Sequence, residues 1–332
     1  MKILILSTNS NAYFKDYFHA YLVKQGHEVV NITLFDLFNA GFSQSISFEC
    51  SIDEFSFEYH GRQYALSAFD VIWKRRFDFS FLRYVLRKRD YDDYPPSVHE
   101  YLSREVRVVQ DFILRLARQK EIPIINDFDE SVINKLFQIN IARKLGVKVP
   151  EFLFTNARDR MEPFYQAHAL TVTKPASNFG YIFDGEDTLS HRTSIVKPDA
   201  VNQLPQSFFP SFFQQGIQNQ YELKCLYIGG EVFAVKQSVK EKKQVADIKQ
   251  EYKEKNIENT EYPVPESLKT SIRSLCEFFR LDLCTLDFIR TEEGDYYFVE
   301  INQDGIIDYY GSFISTNIYE TFYKKVIDGK VQ

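Results

Sequence analysis

The first third of the chain alternates short apolar runs with polar turns, a pattern typical of an α/β domain. Residues 3–6 predict a buried strand, a helix runs through Tyr13, Tyr17 and Tyr21 to Gly26, and residues 27–32 predict a second strand. Because a strand–helix–strand order favours parallel pairing, we expect a doubly wound sheet. No G-x-G-x-x-G motif follows the first strand, so a dinucleotide site is not expected there.

From residue 45 onward the spacing of apolar residues changes to the alternation typical of antiparallel strands. Residues 45–69 alternate apolar and polar as antiparallel strands do, with a turn at Gly61-Arg62, and residues 71–76 predict a strand that ends in three cations. A helix over 98–119 and a short strand over 122–126 follow. The cations Lys74, Arg75 and Arg76 form either an anion site at the carboxyl edge of the sheet or a solvated surface, and both interpretations stay open.

The second half of the chain predicts an α+β arrangement. A helix ends before Gly146, a strand over 151–154 follows, and another strand over 170–174 ends in Lys174. Antiparallel strands are expected over 212–217, 221–228 and 231–236, with a hairpin turn at Gly229-Gly230. The charged segment 238–259 is either a mobile loop or an exposed helix. Helices over 266–279 and 315–326 flank the last predicted hairpin.

That hairpin, residues 284–302, carries the most specific chemistry of the chain. If its tight turn centres on Glu293-Gly294, Asp287 lies opposite Glu300, and Asn302 points to the same face. Two facing carboxylates repel each other and destabilise the strand pair. A divalent cation between them would remove the repulsion, so the pair predicts a metal-binding site. Carboxylate and amide oxygens suit Mg²⁺ better than zinc or copper. The alternative is a solvated acidic hairpin.

Composition narrows the class of protein further. The 332 residues are 44% hydrophobic and 26% charged, enough for two or three domains with their own cores. A net charge of −6 gives no sign of nonspecific nucleic-acid binding. The four cysteines lack C-x-x-C spacing and indicate reduced core residues. With no signal peptide or membrane span expected, the predicted location is the cytoplasm.

Taken together, these elements resemble the ATP-grasp ligases. The resemblance implies an N-terminal doubly wound α/β domain (residues 1–125), and central (126–208) and C-terminal (209–332) α+β subdomains that enclose ATP between them. It assigns Lys135 and Lys174 to the phosphates and Gln214, Gln215, Gly216 and Ile217 to the adenine hinge. Asp287, Glu300 and Asn302 become the Mg²⁺ ligands, since metals bridge phosphate oxygens in such sites.

Within that superfamily the chain is most similar to the graspetide synthetases, the microviridin-type peptide macrocyclases. The similarity is carried by Ala142 and by segments 71–76, 134–136, 145–146, 149–150, 155–156, 172–175, 221–224, 245–249, 286–287 and 298–302. The family usually has arginine where Lys224 and Lys249 stand. Since arginine and lysine differ at bidentate contacts, this departure bears on substrate geometry and not on the ATP chemistry.

The resemblance implies a reaction. A side-chain carboxylate of a ribosomally made precursor peptide is activated as an acyl phosphate and attacked by a Thr or Ser hydroxyl or a Lys amine, closing an ω-ester or ω-amide ring. Glu222 is expected to hold the ribose or orient Lys224, and Lys224 and Lys236 to stabilise the transition state, unless the two lysines are ordinary surface residues. Peptide contacts are expected at Arg75, Arg76, Asp247 and Lys249.

Two partners and two rival functions complete the expectations. The precursor peptide, leader plus core, is the expected partner, and segment 238–259 either grips its leader or is a solvated loop. Homodimerisation is implied by the family alone, and neither nucleic acid nor membrane is expected to bind. The rivals are a ligase that adds an amino acid to a peptide or small-molecule carboxylate, and a nucleotide-dependent binding protein without catalysis.

Overall fold

The computed structural model of the chain describes residues 1–7, 17–38, 46–75, 96–128, 132, 134–176, 181–184, 187–190, 193–239, 257–303 and 305–331. The described chain forms two compact units. The first comprises Met1–Asp127, Leu281–Leu283 and Asn317–Gln332, and the second comprises Phe128–Arg280 and Cys284–Thr316. The three-part domain division stays a prediction, and its boundary at 208/209 falls inside a strand that runs over Ser207–Gln215.

The elements have the following bounds. The strands are β1 Lys2–Ser7, β2 Glu28–Thr33, β3 Ile46–Cys50, β4 Phe55–Tyr59, β5 Arg62–Ala65, β6 Val71–Lys74, β7 Ile124–Ile125, β8 Phe152–Ala157, β9 Thr171–Thr173, β10 Tyr181–Asp184, β11 Asp187–Ser190, β12 Ser194–Ile195, β13 Ser207–Gln215, β14 Tyr221–Ile228, β15 Glu231–Val239, β16 Ile257–Glu261, β17 Leu283–Arg290 and β18 Tyr296–Asn302. The helices are α1 Tyr17–Lys24, α2 Leu34–Phe38, α3 Pro96–Gln119, α4 Lys135–Lys144, α5 Arg158–Ala167, α6 Pro198–Asn202, α7 Glu266–Phe278, α8 Ile307–Gly311, α9 Ile318–Phe322 and α10 Asp328–Val331, with a π-helical turn over Tyr323–Ile327.

The first unit is built on a parallel sheet in the order β2-β1-β6-β7, which confirms the doubly wound prediction. A three-stranded antiparallel sheet, β3-β4-β5, accompanies it. The helix α3 buries Ile113, Leu116 and Ala117 in the same core as Leu4 and Ile72, as its apolar spacing predicts. The β4–β5 turn lies at His60-Gly61, one residue earlier than predicted, because Tyr59 pairs with Arg62 and both turn residues have positive φ.

The second unit contains two larger sheets. One has the order β12-β9-β13-β8 and the other the order β16-β15-β14-β17-β18. The helix α7 packs on β14 and β15 and buries Leu268, Ile272 and Leu275. The glycines at 229 and 230 form the β14–β15 turn with φ of 53° and 91°, as the hairpin prediction requires.

The cysteine prediction holds for three of the four residues. All four are free thiols, and Cys225, Cys276 and Cys284 are buried. Cys50, at the end of β3, is exposed, so its assignment to the core was wrong; the burial of β3 falls off toward that end. No helix of the described residues is long and apolar enough to span a membrane.

Candidate active site

The hairpin β17–β18 brings together the predicted metal ligands. Asp287 lies directly opposite Glu300 and Thr285 opposite Asn302, which confirms the predicted register. The geometric reason differs from the one expected: Arg290 pairs with Tyr296 across a five-residue turn, and a bulge between the Phe288–Phe298 and Asp287–Glu300 pairs restores the register. The bulge therefore decides that the two carboxylates face each other.

Each of these carboxylates holds one lysine. The Lys224 ammonium, only 3% exposed, donates to Asp287 Oδ2, and Lys135 Nζ lies 3.1 Å from Glu300 Oε2. Burial alone lowers the pKa of Lys224, but the Asp287 carboxylate outweighs it and holds that pKa well above its usual range. The repulsion between facing carboxylates is thus relieved in this structure by two ammonium groups.

The helix α4 sets the position of Lys135. Asn134 caps the helix by accepting a hydrogen bond from Phe137 N at 3.1 Å, which places Lys135 in the first turn. One turn on, the fully buried Gln138 pairs with the backbone of β18: its Oε1 accepts from Ile301 N at 2.9 Å and its Nε2 donates to Ile301 O at 3.1 Å. Gln138 thereby fixes α4 beside Glu300.

The same residues fit a hard divalent cation. Asp287 Oδ1 is shielded from solvent and has no hydrogen-bond partner in the part of the chain that the structure describes, so one carboxylate oxygen is available for coordination. Asn302 Nδ2 donates to Glu300 Oε1 at 3.3 Å, which keeps the amide beside the carboxylates. Among the described residues no group of three His, Cys, Asp and Glu side chains converges. An all-oxygen set completed by an amide suits Mg²⁺.

Two of the residues predicted to hold the nucleotide, Lys174 and Gln214, lie at the end of β9 and on β13, which pair. Lys174 follows β9, is 7% exposed, and has its Nζ 5.6 Å from the centre of the Phe212 ring. Gln214 pairs with Val172, and its buried Nε2 has no hydrogen-bond partner among the described residues. Burying the Gln214 amide without a described partner costs free energy, which a hydrogen bond to a ligand would offset.

The predicted hinge ends in a close approach between two backbones. Gln215 N donates to Glu151 O and Gly216 N donates to Leu170 O, both at 2.8 Å. A Cβ on Gly216 would lie 2.3 Å from Leu170 Cγ, so this position requires glycine. Ile217 follows at a half-buried position.

The register of β14 and β15 separates the two lysines that were expected to act together. Lys236 lies opposite Leu223, whereas Lys224 lies opposite Val235, so the two ammonium groups point to opposite faces of the sheet. Lys236 Nζ instead lies 4.8 Å from the centre of the Tyr221 ring. The two lysines therefore do not lie side by side, and a contribution of Lys236 to the transition state stays a prediction.

Two residues on the Lys224 face were missed. Glu222, which was predicted, shares this face, and opposite it lies Gln237, which is fully buried and donates to Asn259 Oδ1 at 2.8 Å. The phenol of Tyr310, on α8, also raises the pKa of Lys224, though less than the Asp287 carboxylate does. The position of Gln237 could be predicted from the sequence, because a turn at Gly229-Gly230 places residue 237 opposite residue 222.

The predicted peptide contacts are described only in part. Arg75 follows β6, donates its backbone N–H to Leu6 O at 2.8 Å, and has its guanidinium 4.9 Å from the Trp73 ring. Arg76, Asp247 and Lys249 lie outside the described residues, as does most of segment 238–259. The role of these residues in peptide binding stays a prediction.

Comparison with solved structures identifies the architecture. No protein-family model matches the chain, and no curated protein sequence matches it. The chain is similar to macrocyclase MdnC bound with precursor peptide MdnA from Microcystis aeruginosa MRC, with 18% identity over 99% of this chain and 100% of that one and a TM-score of 0.77. It is similar to a RiPP-associated ATP-grasp ligase from Chryseobacterium gregarium in complex with ADP and a leader and core peptide, at 20% identity, 99% and 97% coverage and a TM-score of 0.79.

A third similar structure is the ATP-grasp ligase PsnB complexed with minimal precursor, Mg and ADP, at 14% identity, 99% and 97% coverage and a TM-score of 0.70. Each likeness spans nearly the whole of both chains. At these identities a likeness speaks for architecture and not for activity. The chain therefore has the ATP-grasp fold.

Proposed function

We propose that the protein is an ATP- and Mg²⁺-dependent ligase that closes ω-ester or ω-amide rings in a ribosomally made precursor peptide. The observation that carries the proposal is the convergence of Lys135 and Lys224 on the facing carboxylates of Glu300 and Asp287. Phosphoryl transfer from ATP depends on positioned cations and a metal rather than on an enzyme nucleophile. The similar structures that hold ADP, Mg or precursor peptides support this choice of substrates.

We assign a separate role in ATP and Mg²⁺ binding to each of the candidate site residues. Asp287, Glu300 and Asn302 hold Mg²⁺, which neutralises charge on the phosphates. Lys174 and Lys135 attract the phosphate oxygens as mobile point charges. The buried amide of Gln214, with an unsatisfied Nε2, hydrogen-bonds the base. Glu222 lies on the Lys224 face, where it orients that lysine.

The acyl transfer itself needs an electrostatic contact to the activated carboxylate. Lys224 supplies it, because its ammonium group is buried and aimed at the metal ligands. A substrate carboxylate oxygen bonds to the γ-phosphorus as ADP leaves. A hydroxyl or amine of the same peptide then attacks the carbonyl and phosphate leaves, so each ring removes one water. Peptide contacts at Arg75, Arg76, Asp247 and Lys249 and a homodimer remain part of the proposal.

Mass spectrometry of a co-expressed precursor tests the proposal. The probe is a short peptide encoded beside this chain, with Thr or Ser and Asp or Glu near its C-terminus. We expect the wild-type protein to remove one or more waters from the peptide and Glu300→Ala to remove none. Glu320→Ala, an exposed carboxylate on α9, serves as the matched control and keeps the wild-type result.

The alternative functions give different masses. A peptide that gains the mass of an amino acid less one water indicates the amino-acid ligase. An unchanged peptide together with tight Mg·ATP binding indicates a nucleotide-dependent binding protein. Absence of any nucleotide binding in calorimetry contradicts the proposal altogether.

A further inference from the structure

A second cluster of charged and polar groups lies on the opposite face of the five-stranded sheet from Lys224. Its members are Tyr221, Lys236, Tyr262, Arg290 and Tyr296, here called the tyrosine–cation cluster. Strand alternation puts Tyr221 and Lys236 on the same face, and Arg290 pairs with Tyr296 at the end of the β17–β18 hairpin. The cluster thus occupies one end of the sheet and plays no part in the site proposed above.

The three phenols form a chain of hydrogen bonds. Tyr262 Oη lies 2.7 Å from Tyr296 Oη and 3.3 Å from Tyr221 Oη. One cation covers each end of the chain: Lys236 Nζ is 4.8 Å from the centre of the Tyr221 ring, and Arg290 Cζ is 4.7 Å from the centre of the Tyr296 ring. These cation–π contacts hold the two charges in place beside the hydroxyl groups.

Donors exceed acceptors in this cluster. Burial raises the pKa of Tyr221 and of Tyr262, so both hydroxyls remain protonated at neutral pH. Arg290 Nη1 donates to the backbone carbonyl oxygen of Thr291 at 3.4 Å. The only side-chain acceptors within the cluster are three phenol oxygens, which face three hydroxyls, a guanidinium and an ammonium. Arg290 Nε is shielded from solvent without any hydrogen-bond partner in the described part of the chain.

The two cations also lack a described counter-ion. No carboxylate of the described residues lies within 4.0 Å of the Lys236 ammonium or the Arg290 guanidinium. Asp295, in the turn beside Arg290, is engaged elsewhere, with its Oδ2 2.7 Å from Lys148 Nζ. In a chain with a net charge of −6, two cations on one face of a sheet without a carboxylate among the described residues concentrate positive charge.

We propose that the tyrosine–cation cluster is a binding site for an oxyanion, either a carboxylate or a phosphate group. An oxyanion provides the missing acceptors, and hydrogen bonds from charged donors to such oxygens are stronger than those between neutral groups. The planar guanidinium of Arg290 and the mobile ammonium of Lys236 contact it from two sides. The assignment does not depend on the reaction proposed for the opposite face.

The test is a titration followed at the Arg290 side chain itself. The Nε–Hε resonance of ¹⁵N-labelled protein is assigned with Arg290→Lys, and sodium phosphate or sodium glutarate is added at an ionic strength held constant with NaCl. We expect a saturable shift of this resonance. Because the signal is local, phosphate bound near Lys135 and Lys174 does not produce it. Saturation by phosphate alone or by glutarate alone identifies which oxyanion the site takes.

Variants determine whether the cluster is responsible. Lys236→Met keeps an aliphatic chain on the Tyr221 ring and should weaken the apparent affinity at least about tenfold, the effect of losing one charged hydrogen bond. Tyr262→Phe removes the central hydroxyl and should also weaken it, which gives a second reading if the first variant folds poorly. Lys144→Met, an exposed lysine of α4, is the matched control and should bind as the wild type does. A shift that never saturates, or an affinity unchanged in both variants, overturns the proposal.

Discussion

At the scale of single residues, the chemistry of this protein depends on how buried charges are paired. Lys224 and Asp287 are both buried, and each is the other's counter-ion. Removing one member of such a pair leaves the other charge buried without a counter-ion, whereas removing both leaves no buried charge. A single substitution in the pair should therefore destabilise the protein more than the double substitution does.

We expect Lys224→Met to lower the free energy of unfolding by about 3 kcal/mol because it leaves the Asp287 carboxylate buried and unpaired. Urea denaturation at neutral pH measures the change. The matched double variant, Lys224→Met with Asp287→Asn, should be more stable than the single variant. A single variant as stable as the wild type would mean that the ion pair does not form in solution.

The same pair predicts a dependence on pH. The folded-state pKa of Lys224 is raised above its ordinary value of 10.5, so the folded state retains a proton that the unfolded state releases at high pH. The stabilisation is fully present below about pH 10.5 and declines as the pH rises further. The difference in unfolding free energy between wild type and Lys224→Met should therefore shrink above that pH in urea titrations. A difference that grows there would contradict the assigned pKa direction.

Gly216 gives a prediction about packing. A methyl group at this position would collide with the Leu170 side chain, so Gly216→Ala should destabilise the protein by about 1–3 kcal/mol. Adding Leu170→Ala removes the obstructing atoms and should recover part of that loss. Thermal unfolding of the single and double variants measures both effects, and equal stability of the two would place the strain elsewhere.

At the scale of elements, the contact between α4 and the edge strand β18 positions the site. The amide of Gln138 substitutes for a neighbouring strand by pairing with Ile301 N–H and C=O. Since Glu300 and Asn302 flank Ile301, the same contact fixes both proposed metal ligands relative to Lys135. A helix packed only through apolar side chains would not define the distance between Lys135 and Glu300 as closely.

Gln138→Leu has a similar volume but leaves the Ile301 groups unpaired, so we expect the free energy of unfolding to fall by about 2–4 kcal/mol. Displacement of Lys135 should also weaken ATP binding measured by calorimetry. Asn140→Leu, at an exposed position of the same helix, is the matched control and should change neither quantity. Loss of stability with unchanged ATP affinity would confine Gln138 to a structural role.

At the scale of the whole molecule, the chain returns at its end to the unit in which it began. Residues of α9 pack in the first unit, where the Phe322 ring centre is 4.7 Å from that of Trp73 and 5.0 Å from that of Phe18. Trp73 is the single tryptophan of the chain and is fully buried. Its fluorescence therefore reports the integrity of this unit.

Phe322→Ala removes a buried ring beside Trp73 and should lower the free energy of unfolding by about 3–5 kcal/mol, with a red-shifted emission in the folded state. Fluorescence during urea denaturation measures both. Phe278→Ala, which removes a half-exposed ring on α7 in the second unit, is the control and should leave the emission maximum unchanged. An unshifted emission in Phe322→Ala would show that Trp73 does not depend on this contact.

The sequence by itself determined many of the elements and the facing of Asp287 and Glu300. Period-two and period-3.6 patterns are local, so the parallel sheet, the helices over 96–119 and 266–278 and the Gly-Gly hairpin followed from them. The facing of Asp287 and Glu300 was also predicted, although the five-residue turn and the bulge that produce it were not. The register of the Gly-Gly hairpin also implies that Lys224 and Lys236 lie on opposite faces of the sheet, which the sequence analysis did not use.

Tertiary structure alone decided which groups meet across distant parts of the chain. Lys224 meets Asp287 from another strand of the same sheet, and Gln138 pairs with Ile301 from a helix. The five members of the tyrosine–cation cluster come from segments up to 75 positions apart, the separation of Tyr221 and Tyr296. Such contacts depend on strand order and helix packing, which the local alternation of apolar and polar residues does not encode.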